Sequence, residues 1–122
     1  MKVVDASAVC ALVFAEEEER NVAERIAGDP LVAPTLLSYE VANACWKKLR
    51  RHPELEPDVL AAYARFARLG VRQLEVNLAA VILLAAATRL SAYDAAYVWL
   101  ARALGVELVS LDRRLLQAAA DG

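Results

Sequence analysis

Short unbroken apolar runs alternate along this chain with longer stretches in which hydrophobic residues return every three or four positions, the marks of buried strands and amphipathic helices. The opening run KVVD predicts a strand over residues 2–5, and a helix over 7–15 follows almost without a loop. A second helix is expected over 17–27, because the acidic stretch from Glu16 to Glu19 suits the positive end of a helix dipole and Gly28 stops it. Residues 31–33 read as a brief strand ending at Pro34. A long helix over 35–51 carries Lys47, Lys48, Arg50 and Arg51 at its carbonyl end and halts before Pro53. Further on, 57–69 is helical and closed by Gly70, 71–76 a strand, 78–90 and 93–104 helices, 107–111 a strand, and a last short helix starts at Arg113.

Strands that alternate with helices imply an α/β domain spanning residues 1–122. Its parallel sheet has four or five short strands joined by right-handed crossovers and flanked by helices on both faces. Sites in such sheets form at the carboxyl ends of the strands. Asp5 and Asp112 each end a strand, Asp94 opens a helix and Glu40 lies inside the long one, so the fold is expected to bring all four to one edge. Crowded carboxylates repel, and a cation relieves them, which outlines a divalent-metal site. Each acid also has a plainer duty open to it. Asp5 and Asp112 suit helix N-caps, Ser91 with Asp94 fits a capping box, and a mid-helix Glu40 is compatible with a solvated position.

Composition narrows the possibilities. The chain has 122 residues, 59% of them hydrophobic, which is enough for a core with apolar surface left for a partner. A net charge of −2 argues against a general electrostatic grip on nucleic acid, so any such contact is local. Cys10 and Cys45 fall in apolar helical patterns without metal-ligand spacing and read as buried free thiols of a reducing compartment. The longest apolar run, residues 78–87, falls short of the about 20 needed to cross a bilayer, and no signal-peptide core opens the chain. A cytoplasmic protein without a membrane role is expected.

Four segments, VVDASAV, SYEVANACWK, LSAYDAAYVWLARALG and LVSLDRRL, resemble in order and spacing the PIN-domain ribonucleases, and among them the VapC-type toxins of toxin–antitoxin pairs. The resemblance implies an endoribonuclease dependent on Mg2+ or Mn2+, with Asp5, Glu40, Asp94 and Asp112 as its acidic site. Hard cations of this kind prefer oxygen ligands, so carboxylates suit them better than histidine or cysteine, and His52, beside Pro53, is no candidate base. Asp5 and Asp94 are expected to hold the principal ion, Glu40 and Asp112 to orient its waters or bind a second. The resemblance further implies attack by a metal-activated water, products with 5′-phosphate and 3′-hydroxyl ends, a homodimer or higher homo-oligomer, and a small antitoxin covering the site.

Around the acids, Ser7, Asn43 and Ser110 are candidates to support the carboxylates or their waters, and equally for local caps. Lys47, Arg50, Arg51 and Arg113, with Lys48 and Arg114, are candidates for RNA phosphates, and equally for a solvated helix end. Val59, Tyr63, Phe66 and Leu69 follow helical spacing, and with Trp46, Tyr97 and Trp99 supply large side chains for core or interface. Two other classes stay open. A phosphoryl-accepting domain also places aspartates at strand ends, but uses a late lysine, and here the lysines are Lys2, Lys47 and Lys48. A catalytically silent PIN-like binding module, or a housekeeping RNA-processing nuclease, would keep the same acids.

Overall fold

The first strand lies inside the sheet, with neighbours on both sides. In the computed structural model, which describes residues 1–121, β1 (Lys2–Val4) lies between β2 (Leu31–Pro34) and β4 (Glu107–Val109), and β3 (Arg72–Leu74) pairs with the outer edge of β2. All pairings are parallel, with Val3 level with Val32 and Leu108. Val3, Val4, Val32, Leu108 and Val109 are at most 3% exposed, so the inner parts of β1, β2 and β4 are apolar on both faces, as a sheet covered on both faces requires.

Between the strands run α1 (Ala6–Val13), α2 (Glu19–Ile26), α3 (Leu37–Arg51), α4 (Glu56–Arg68), α5 (Leu78–Thr88) and α6 (Ala92–Leu104), and α7 (Arg113–Ala120) follows β4. The chain moves outward from β1 to β2 to β3, then returns past β1 to place β4 on its other side. With right-handed crossovers, that reversal puts α5 and α6 on the face opposite the earlier helices. Accordingly α1 packs with α2, α3 and α4, while α6 lies against β1, β2 and β4 and touches α5 and α7. The reversal also opens a crevice beyond the carboxyl ends of β1 and β4, the place where open α/β sheets bind ligands.

Several boundaries differ from the sequence reading. β4 ends at Val109 rather than 111, its last partner on β1 being Val4, and Ser110 just beyond turns its hydroxyl toward Asp5. β3 covers only Arg72–Leu74 of the expected 71–76. A 3-10 turn, Pro53–Leu55, joins α3 to α4, with Pro53 supplying the fixed φ of its first position. α5 stops at Thr88, where the Thr88 hydroxyl donates to the Leu84 carbonyl and Arg89 takes a left-handed conformation at φ 62°. Cys45 is buried as expected but Cys10 is only partly so, and both are free. α5, apolar almost throughout, buries only Val81 and leaves Leu78, Ile82 and Leu83 exposed. Among the described residues no single helix is long and apolar enough to cross a membrane.

Candidate active site

Asp5 is the anchor of the crevice. It leaves β1 in an extended conformation and caps α1, its Oδ1 accepting from the Ala8 amide at 3.0 Å and from the Ser7 hydroxyl at 2.7 Å. Its Oδ2 accepts from the Ser110 hydroxyl at 2.5 Å, across from the end of β4. Ser7 in turn accepts from the Leu111 amide at 2.9 Å, and Ser110 from the Asp112 amide at 2.9 Å. These bonds sew the β1–α1 corner to the β4–α7 corner, and they leave Asp5 only 5% exposed.

Asp112 caps α7, accepting from the amides of Arg114 at 2.8 Å and Leu115 at 3.4 Å. The Ser91 hydroxyl caps α6 by accepting from the Asp94 amide at 3.0 Å, which holds Asp94 in the first helical turn. The plain capping roles open to Asp5 and Asp112 are therefore real, and they fix each carboxylate at the mouth of the crevice. Glu40 has no such role. It sits in the first turns of α3, half-buried, and accepts a 2.5 Å hydrogen bond from the hydroxyl of Tyr97, a residue of α6 that is 1% exposed.

Charge is concentrated here. Burial raises the proton affinity of Asp5, against the hydrogen bonds from Ser110, Ala8 and Ser7, and the charge of Asp112 adds to the rise. Burial raises Glu40 as well, opposed by the Tyr97 hydroxyl and reinforced by Asp94 and Asp5. Asp94 is raised by burial and by Asp112, with Arg114 opposing. Tyr97 is pushed far above the ordinary phenol range by burial and by Glu40, so its hydroxyl is a fixed donor. Among the described residues no three Asp, Glu, His or Cys side chains lie close enough together to hold an ion by direct contact alone. The donor set nonetheless suits a hard divalent cation such as magnesium, which takes one or two carboxylates and keeps several waters.

A cleft of about 600 Å³ opens beside Glu40, lined also by Tyr39, Asn43, Lys47 and Tyr93. Asn43 stands one turn after Glu40 on the same side of α3, exposed in the cleft. Of the basic cluster on α3 only Lys47 lines it, for Lys48 lies 4.5 Å over the Phe14 ring, Arg50 lies 4.6 Å over the Trp46 ring, and Arg51 is exposed at the helix end. Arg113 and Arg114 line a second cleft of about 630 Å³ on the α7 side. His52 ends α3 and faces Glu54 at 3.4 Å. Tyr97, one of several large residues that the sequence offers for core or interface, is the one that holds Glu40. Its spacing of three from Asp94, which puts both on one helical face, was the available signal.

The sequence matches the PIN domain family over residues 2–121. It is 37% identical over 121 residues to Ribonuclease VapC3 of Pyrobaculum aerophilum, covering 94% of this chain and 92% of that protein. It is 35% identical over 115 residues to Ribonuclease VapC9 of Mycobacterium tuberculosis, with 94% and 88% covered. The fold superimposes on the crystal structure of PAE2754 from Pyrobaculum aerophilum with a TM-score of 0.77 at 30% identity, covering 96% of this chain and 83% of that one.

Proposed function

Because this chain belongs to the PIN-domain family, we propose that it is an endoribonuclease assisted by magnesium or manganese, and the toxin of a type II, VapBC-like pair. The names of its relatives support the reaction class. The observation that carries the reading is Asp5, buried at the reversal point of the sheet and held by Ser7, Ala8 and Ser110, with the charges of Asp112, Glu40 and Asp94 around it. Asp5 and Asp94 would hold the principal cation, and Glu40 and Asp112 would orient waters or hold a second. When bound, a divalent cation neutralises phosphoryl charge and makes a coordinated water more acidic.

The protein's own part is positioning. Ser7 and Ser110 fix both oxygens of Asp5, Tyr97 fixes one oxygen of Glu40, and the caps of α6 and α7 hold Asp94 and Asp112 in place. Lys47 on one side, with Arg113 and Arg114 on the other, offers positive charge to a phosphate backbone that enters between them. Lys2, by contrast, starts β1 at the amino edge and is tied to Asp29 and Glu107, which argues against a phosphoryl-accepting site with a catalytic lysine. The exposed apolar side of α5 supports homodimer formation, and a small antitoxin would cover the acidic crevice. Its setting would be the cytoplasm, where RNA is at hand and free thiols persist.

A labelled RNA incubated with magnesium, manganese or EDTA tests the reaction. Cleavage is expected only with a divalent ion, and it should be lost in both Asp5→Asn and Asp94→Asn. Cleavage that survives both substitutions removes the acidic site from the chemistry. RNA left intact across many sequences would mark a silent binding module, and a gene lacking a small partner reading frame beside it would favour a housekeeping nuclease.

A further inference from the structure

Two tyrosines in the cleft beside Glu40 stand outside the hydrophobic core. Tyr39 is 79% and Tyr93 66% exposed, both line the same space of about 600 Å³, and each directly precedes an acid of the site, Glu40 on α3 and Asp94 on α6. Successive residues of a helix point about 100° apart. Each ring therefore lies beside its carboxylate and does not share its direction, so it flanks the place where the scissile phosphate would sit. An exposed aromatic face costs solubility unless something covers it.

What fits there follows from chemistry. A phosphodiester brought to the acids carries a base on either side, and every base offers a flat π-face that stacks on an aromatic ring. The cleft also holds the Asn43 amide, which can both donate to and accept from a base edge, and the Lys47 ammonium for the backbone. In a duplex the bases stack on one another and offer no free faces. Resting on the ribonuclease reading, we infer that Tyr39 and Tyr93 are base-stacking residues that hold unpaired nucleotides next to the bond to be cut, with Asn43 placed to read one base edge.

The test uses the full chain carrying Asp5→Asn, so that bound RNA stays intact, and a short single-stranded RNA with one 2-aminopurine in otherwise randomised sequence. Binding should quench the probe. Tyr39→Ala and Tyr93→Ala should each weaken binding about 5- to 100-fold and reduce the quench, while Tyr→Phe at either position stays within about twofold. An end-labelled RNA whose central nucleotides are all abasic, with binding read by anisotropy, should abolish the difference between the tyrosine and alanine proteins, which a merely structural effect would not do. The inference falls if alanine leaves affinity unchanged, if its penalty persists on abasic RNA, if duplex binds as tightly as single strand, or if the parent binds no RNA. It also falls if the alanine variants lose only a protein partner, since the cleft is then a docking site for that chain. Failure of the ribonuclease reading looks different: the unsubstituted protein cuts nothing with magnesium or manganese, while the tyrosine dependence of binding is intact.

Discussion

At the level of single side chains, the crevice holds negative charge in buried surroundings. Asp5, Glu40 and Asp94 all have proton affinities raised above their ordinary values of 3.8, 4.5 and 3.8, with burial the leading cause. A raised carboxylate binds more protons in the folded than in the unfolded chain, so stability falls as pH rises from those ordinary values through the folded ones. Denaturation in EDTA should therefore show these groups weakening the fold toward neutral pH. Added magnesium or manganese should restore stability at neutral pH and do progressively less as the solution is acidified. A divalent effect that is flat with pH would separate the ion from these carboxylates. Tyr97 gives a second test. Its hydroxyl stabilises the charged form of Glu40, so Tyr97→Phe should keep the fold, slow cleavage about tenfold or more, and shift the acidic limb of the pH–rate profile upward. An unshifted limb with a lowered rate would make Tyr97 a packing residue only.

Secondary elements explain why the acids stand out as candidates in the sequence and their hydrogen-bond partners less so. Strand ends and helix starts announce themselves through KVVD, SAYD and SLD, since the residues that cap helices are also those that ligate cations. Ser7 and Ser110 could be suspected from proximity to the acids, but that they clasp opposite oxygens of Asp5 depends on β1 and β4 being neighbours, a long-range pairing that no local pattern encodes. Tyr97 and Trp46 look alike as large residues in helices, yet one is 1% and the other 52% exposed, which only the packing of α6 against the sheet and of α3 against α1 and α4 decides. The apolar run of α5 marks a helix but not its buried side, because periodicity cannot show which side lacks a neighbour. The dual use of caps is separable by substitution. Asp112→Asn keeps a good N-cap and should leave stability within a few tenths of a kcal/mol while lowering metal-dependent cleavage. Asp112→Ala loses the cap as well and should cost about 1 kcal/mol more in chemical denaturation. An Asp112→Ala protein as stable as the unsubstituted one would mean that the Asp112 side chain contributes nothing to starting α7.

For the molecule as a whole, surplus apolar surface and a scarcity of positive charge make two demands on its associations. Leu78, Ile82 and Leu83 are 66%, 62% and 72% exposed on one helix, so a dimer using α5 should give way to monomer on Ile82→Lys with Leu83→Lys, read by light scattering, without loss of far-UV circular dichroism. A dimer that survives both changes uses another face. The proposed binding of RNA is constrained by the net charge of −2, which denies the protein a general hold on a polyanion and would leave the work to side chains at the two clefts. Lys47, Arg113 and Arg114 line those clefts, whereas Lys48 and Arg50 are turned onto aromatic rings. Three phosphates neutralised on a single strand predict that log Kd rises with log salt with a slope of about 2. Lys47→Ala should lower that slope by about 0.7, and Arg50→Ala should leave it unchanged. A steep slope that all these substitutions fail to move would place the electrostatic hold elsewhere, on the exposed Arg51 end of α3 or across a dimer. A slope near zero would leave base stacking as the main source of affinity.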